Sequence, residues 1–214
     1  MTLNDYILDH IDEENEQLKR LYREAHVRLV RPRMLSGHLQ GRILKMLARM
    51  IQARQILEIG TYTGYATLCF AEALSKNGEI HTIEKDDEME DFMRSQFDQS
   101  PYKEQIKVHI GDALEIIPSL ENEFDLVFID ADKRSYCEYY DLIFDKVREG
   151  GIILADNTLW DGKVVEQLQT NDLQTQGILR FNDKIKHDSR VEKVILPLRD
   201  GLTVLYKIPQ QLYS

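Results

Sequence analysis

The sequence predicts an α/β fold: a mostly parallel sheet of seven strands, flanked by helices and closed by a C-terminal antiparallel hairpin. Three observations carry this. Short apolar, largely β-branched runs recur at 55–59, 80–83, 106–110, 126–129 and 152–155, the pattern of parallel strands buried on both faces. Between them lie helical stretches near 65–74, 88–97, 113–120 and 135–147, and strands alternating with helices specify a doubly wound sheet. The tail departs from that alternation. After a helix near 175–187, strand-like runs at 191–197 and 202–208 flank Arg199-Asp200-Gly201, a connection short enough for an antiparallel pair.

Upstream of the sheet, residues 5–30 place Ile7, Leu8, Ile11, Leu18, Leu21 and Tyr22 at helical spacing among charges, which reads as one amphipathic helix. Arg31-Pro32-Arg33 interrupts it, because the residue before a proline is pushed out of the helical region. Ser36 then caps a second helix to about Ile51, with Leu39, Ile43, Leu44, Leu47 and Ile51 on one face. The 214 residues therefore read as a single domain, with an N-terminal helical segment (1–52) ahead of a core (53–208).

Composition narrows the class of partner. The chain is 43% hydrophobic and 30% charged, as in ordinary globular proteins. No apolar run is long enough to span a bilayer, and the acidic N-terminus is no secretory signal. Cys69 and Cys137 have neither disulfide-framework nor metal spacing and fit a reducing, cytoplasmic setting. A formal net charge of −10 argues against nucleic acid, whose phosphates require a basic patch. A small-molecule partner is the expectation.

An acidic residue lies at or just past the carboxyl end of each predicted parallel strand: Glu58, Glu84, Asp112, Asp130 and Asp156. Open α/β sheets bind ligands in the crevice outside those ends. Any one of these residues could simply cap the helix that follows, but five at one rim favour a site. Gly60-Thr61-Tyr62-Thr63-Gly64 follows the first strand, where glycine permits a sharp turn and close approach of a ligand. Glu84 lies twenty residues beyond Gly64, placed to accept from both hydroxyls of a ribose. The dinucleotide pattern GxGxxG is absent. The helix start can instead receive a carboxylate, such as the methionine end of S-adenosylmethionine, with Asp112 accepting from an adenine amino group.

Three segments carry a resemblance. They are Leu57-Glu58-Ile59-Gly60-Thr61-Tyr62-Thr63-Gly64-Tyr65, Ile129-Asp130-Ala131-Asp132-Lys133 and Asp156-Asn157-Thr158-Leu159-Trp160. In their order and spacing the chain resembles the cation-dependent O-methyltransferase family, which includes caffeoyl-CoA and catechol O-methyltransferases, from about Arg31 to Ile208. The resemblance implies a Rossmann-like class I methyltransferase fold. It implies S-adenosylmethionine bound by the matches to Met34, Ser36, Glu58, Gly60, Thr61, Gly64, Tyr65, Glu84, Asp112, Ala113 and Asp130. It also implies a divalent cation held by Asp130, Asp156 and Asn157, and Lys133 as catalytic base. The N-terminal helix is similar to those used for homodimer packing in bacterial-type members.

The residue types agree with that chemistry. Two carboxylates and an amide offer oxygen alone, which suits magnesium first, with calcium or manganese as alternatives. Three protein ligands leave room for the vicinal oxygens of a catechol-like diol. Lys133, three residues after Asp130, can reach the same oxygen. Trp160 could wall an aromatic acceptor or merely pack; His38 borders the expected substrate side; Asp132 could ligate, orient Lys133 or cap a helix. Two other classes stay open: a nucleotide-dependent oxidoreductase and a non-catalytic cofactor-binding protein.

Overall fold

A computed structural model describes residues 1–210; residues 211–214, the end of the predicted single domain, lie outside the described residues. Seven strands form one sheet: β1 (Gln55–Ile59), β2 (Glu79–Glu84), β3 (Ile106–Ile110), β4 (Phe124–Ile129), β5 (Val147–Asp156), β6 (Val191–Leu196) and β7 (Leu202–Lys207). Their order is β3-β2-β1-β4-β5-β7-β6. The first five run parallel, while β7 is antiparallel to β5 and β6 to β7. The chain builds outward from β1 to β3, then returns to start β4 beside β1. That reversal opens a crevice at the carboxyl ends of β1 and β4.

Period-two alternation sends successive residues of each strand to opposite faces. Ile56, Leu126, Phe128, Ile152 and Leu154 share a core with Leu18, Leu21, Leu44 and Phe70. These come from α2 (Glu16–Arg28), α3 (Gly37–Met50) and α4 (Tyr65–Ala71), with Phe92 and Phe97 added from α5 (Glu90–Asp98). Leu57, Ile59, Val127, Ile129 and Ile153 pack on the other face against Ile117, Tyr140 and Phe181. Those side chains belong to α6 (Ala113–Ser119), α7 (Tyr136–Phe144) and α8 (Leu173–His187).

The N-terminal segment corrects two expectations. Residues 5–30 form two helices, α1 (Leu3–Asp9) and α2, rather than one. The Asn15 side chain accepts from Leu18 N at 2.9 Å and starts α2 afresh, satisfying a donor that helix starts leave bare. Ser36 precedes α3, but its own backbone is already helical (φ −57°, ψ −38°) and its side chain caps nothing. The Pro32 interruption is present as a 3-10 turn, Pro32–Met34.

Glu72, just past α4, fastens this segment to the core. It accepts from Arg42 Nη1 at 2.8 Å, Lys45 at 2.5 Å and Asn15 Nδ2 at 2.8 Å. Burial raises its carboxyl pKa, but hydrogen bonds from Arg42 and Lys45 outweigh that and hold it below the usual range. Breaking a buried pair of this kind costs about 3–5 kcal/mol, because the partner charge is left uncompensated.

Candidate active site

A cavity of about 1340 Å³ occupies the crevice, walled by strand ends on one side and by residues 28–36 on the other. Gly60 makes its floor possible. Its φ is +99°, and a Cβ there would lie 2.3 Å from the Asp130 carbonyl oxygen. The ends of β1 and β4 touch at this point, with Asp130 N donating to Ile59 O at 2.8 Å. Thr61 and Tyr65 line the cavity, as do Met34 and Ser36 from the N-terminal side. Gly64 does not line it; it turns the chain into α4 at φ +81°, against the ring of Phe97. The Tyr65 hydroxyl donates to Glu14.

The five acidic residues separate into different environments. Glu84 lines the cavity and accepts from Tyr62 N at 2.7 Å and Asp86 N at 2.9 Å, and each oxygen keeps acceptor capacity. Asp112 is engaged elsewhere: it caps α6 through Leu114 N at 2.9 Å and receives Lys85 Nζ at 2.6 Å. The Lys85 bond, then the Leu114 bond, hold its carboxyl below the usual range. Its neighbours Gly111 and Ala113 form the wall there, not Asp112 itself. Glu58 is wholly buried, accepting from Thr67 Oγ1 and, at 2.6 Å, from Thr82 Oγ1. Burial pushes its carboxyl up to about 8. Thr82 in turn shares a 2.5 Å hydrogen bond with Thr61. Glu58 thus supports the cavity wall from behind.

Asp130 and Asp156 stand together at the ends of β4 and β5. Lys133, only 7% exposed, donates to Asp130 Oδ1 at 2.8 Å and to the Tyr136 hydroxyl at 2.7 Å. The Tyr136 hydroxyl in turn donates to the Asp156 carbonyl at 3.0 Å. Gly177 of α8 lets that helix pack on the Lys133 turn, since a Cβ there would lie 2.2 Å from Lys133 O. Asp156 Oδ1 accepts from Asn157 N at 2.8 Å, and Oδ2 from Gln40 Nε2 at 2.6 Å. Burial first, then the charge of Asp130, push the Asp156 carboxyl upward. Asn157 adopts a left-handed φ of 58° beside them. Asp132 lines the same cavity, but its carboxylate is paired with Arg134 at 2.6 Å.

Two carboxylates and an asparagine on one wall of the cavity, offering oxygen ligands alone, fit a hard divalent cation. Among the described residues no cluster of three or more His, Cys, Asp or Glu side chains is arranged to hold a metal; the set here is two aspartates and an asparagine. Trp160 lines the same cavity, 6.0 Å from Lys133 Nζ by its ring, and its buried Nε1 lacks a partner among the described residues. His38 is not in this site. Its Nε2 donates to the Asp12 carbonyl at 2.7 Å, and it lines a separate cavity of about 580 Å³ beneath the N-terminal helices. Sequence reading missed Gln40, Tyr136 and Gly177, and also Arg199 and Asp200, which line the same cavity. Of these only Tyr136, three residues beyond Lys133, carried a local signal.

Residues 9–208 match the O-methyltransferase family. The chain is 38% identical over 163 residues to a catechol O-methyltransferase of Niastella koreensis, covering 74% of this chain and 73% of that one. It is 32% identical over 208 residues to a probable caffeoyl-CoA O-methyltransferase of Dictyostelium discoideum, covering 95% and 90%. Among solved structures, the O-methyltransferase TomG of Streptomyces achromogenes, in complex with S-adenosylmethionine, superposes with a TM-score of 0.90 at 30% identity, covering 97% and 96%. An O-methyltransferase of Bacillus cereus, in complex with S-adenosylhomocysteine, gives 0.88 at 29%, covering 96% of each chain. The fold is the Rossmann-like one expected, and the chain belongs to the cation-dependent O-methyltransferase family, whose members transfer a methyl group from S-adenosylmethionine to oxygen.

Proposed function

We propose that this methyltransferase acts on one hydroxyl of a catechol-like vicinal diol and requires a divalent cation. The carrying observation is the cluster of Lys133, Asp130, Asp156 and Asn157 on the wall of the cavity that also holds Gly60 and Glu84. Asp130, Asp156 and Asn157 would hold the cation, magnesium first, with calcium or manganese as alternatives. When bound, the cation supplies positive charge that eases ionisation of a nearby hydroxyl. S-Adenosylmethionine is assigned to the other half of the cavity: its ribose to Glu84, its adenine to the Asp112-Ala113 corner, its methionine end to the turn from Gly60 to Tyr65. Met34 and Ser36 cover it, Asp130 borders it, and Glu58 braces Thr61 through Thr82.

Lys133 is positioned to take the acceptor's proton at Nζ, with Asp130 and Tyr136 fixing that nitrogen. Trp160 offers an aromatic wall. Methyl transfer needs little covalent help, so alignment of donor and acceptor supplies much of the acceleration. The names of the catechol and caffeoyl-CoA relatives support a small diol acceptor.

Labelled S-adenosylmethionine with 3,4-dihydroxybenzoate and related diols tests this reading. Label should enter the diol with magnesium present, and be lost with chelator or in Asp156→Ala. Transfer that survives chelation would sink the cation requirement.

The free cysteines, Cys69 buried and Cys137 half-buried, support a reducing cytoplasmic setting. No helix among the described residues is long and apolar enough to cross a membrane. Residues 1–52 are assigned as a cap and dimerisation segment ahead of the catalytic core, 53–208. They expose Leu3, Val27, Val30, Met46 and Met50, an apolar surface that a homodimer would cover. Light scattering should return about twice the 25.1 kDa chain mass; a monomer at micromolar concentration would refute the dimer.

A further inference from the structure

We propose that Gln40 and Arg199 are positioning residues that tie the cover over the cavity to the orientation of Asp156. The inference rests on reading Asp156 as a cation ligand. Neither residue belongs to the three segments that mark the family, and each comes from a different part of the chain.

Arg199 sits in the turn between β6 and β7 in a left-handed conformation, φ 50°, which a non-glycine residue holds only under constraint. The constraint is visible. Gly201 N donates to Leu198 O at 2.8 Å to close the turn, and Asp200 O accepts from Leu159 N at 2.7 Å and Trp160 N at 3.2 Å. The turn is therefore bonded to the loop that carries Asn157 and Trp160. From it the Arg199 guanidinium reaches the cover. Nη1 donates to Leu35 O at 2.6 Å and to Ser36 O, and Nη2 donates to Arg33 O at 3.0 Å. Met34 and Ser36, on that same stretch, line the cavity.

Gln40 carries the connection inward. It is 1% exposed, and its amide has one donor end and one acceptor end. Nε2 donates to Asp156 Oδ2 at 2.6 Å, while Oε1 faces the Arg199 guanidinium, 3.5 Å from Nη1. A flipped amide would press its oxygen against the carboxylate and its NH₂ against a guanidinium, so Arg199 selects the orientation that serves Asp156. The other Asp156 oxygen is fixed by Asn157 N. Both oxygens are thereby aimed, each with a lone pair to spare. Groups that orient a metal-ligating carboxylate in this way typically contribute 10- to 100-fold to metal affinity or activity.

The experiment uses the full chain and manganese as the probe. Manganese affinity is read by electron paramagnetic resonance, S-adenosylhomocysteine affinity by calorimetry in chelator, and folding by thermal melting. Gln40→Met should weaken manganese binding about 10- to 100-fold and leave S-adenosylhomocysteine within about twofold. Arg199→Met should weaken both, since it also releases the cover. In the double variant, manganese affinity should fall little below that of Gln40→Met, because Arg199 acts on Asp156 through that amide. Arg199→Lys, which keeps the charge without the fork, should recover only part of either loss. Gln40→Asn, an amide too short to span the gap, serves if Gln40→Met does not fold, and should give the same loss. Folded variants that bind manganese as tightly as the parent overturn this inference and leave the ligand reading standing. A parent chain that binds no manganese, or an Asp156→Ala variant that binds it equally well, overturns the ligand reading and this inference with it.

Discussion

Lys133→Ala is expected to remove about 10²–10⁴-fold of kcat, the usual contribution of a positioned general base, while S-adenosylhomocysteine still binds within about twofold. The separation follows from where the lysine lies. Its Nζ is directed at Asp130 and Tyr136, on the side of the cavity assigned to the acceptor. Truncation leaves Tyr136 held by the Ile129 and Asp156 carbonyls, at 3.2 Å and 3.0 Å, so the pocket should keep its shape. Single-turnover rates at saturating cofactor report the effect without product release. A variant within about tenfold of the parent would remove Lys133 from the chemistry and leave positioning to account for the rate.

Gly60→Ala is expected to abolish cofactor binding and to destabilise the fold. Two costs add. The backbone φ of +99° is one that side chains rarely adopt, worth about 1–3 kcal/mol. The new Cβ would also stand 2.3 Å from Asp130 O and 2.8 Å from its carbonyl carbon, and backbone cannot swing aside as a flexible side chain can. The ends of β1 and β4 must part, and Asp130 moves with them. Gly162→Ala is the control: its φ is +78°, but nothing lies within 4 Å of the added Cβ. Denaturation and calorimetry on both variants separate strain from collision. Equal effects would mean that the contact with Asp130 is relieved cheaply.

The sheet was legible because buried parallel strands demand unbroken apolar runs, and Ile56, Val127 and Ile153 are parts of such runs. The break at 10–15 was not, because apolar spacing continues through it while Asn15 restarts the helix with one side chain. Asp130, Asp156 and Asn157 were readable because they end or directly follow a strand, and Lys133 because it lies three residues after Asp130. Glu58 misled for the opposite reason. It lies within β1, registered opposite Thr82, and the alternation of the strand turns it into the core beneath α4 rather than toward the rim. Asp112 does what many aspartates after strands do and caps a helix. Gln40, Gly177 and Arg199 were invisible for a shared reason: each is defined by a contact with a distant part of the chain. An arginine in a hairpin turn gives no hint that three carbonyls of the N-terminal segment depend on it.

Those carbonyls have a consequence for how such a protein can change. Residues 31–36 are held by their backbone and by the buried Leu35 side chain: Arg31 O accepts from the Tyr62 hydroxyl at 3.1 Å, and Arg33, Leu35 and Ser36 accept from Arg199. Attachment is therefore indifferent to most side chains along the strip. Arg31 and Arg33 can be rewritten to suit a new acceptor without loosening the strip from its moorings. Drift in substrate preference is free to run ahead on this side of the pocket, while the single arginine that fastens it stays under constraint from the far end of the chain.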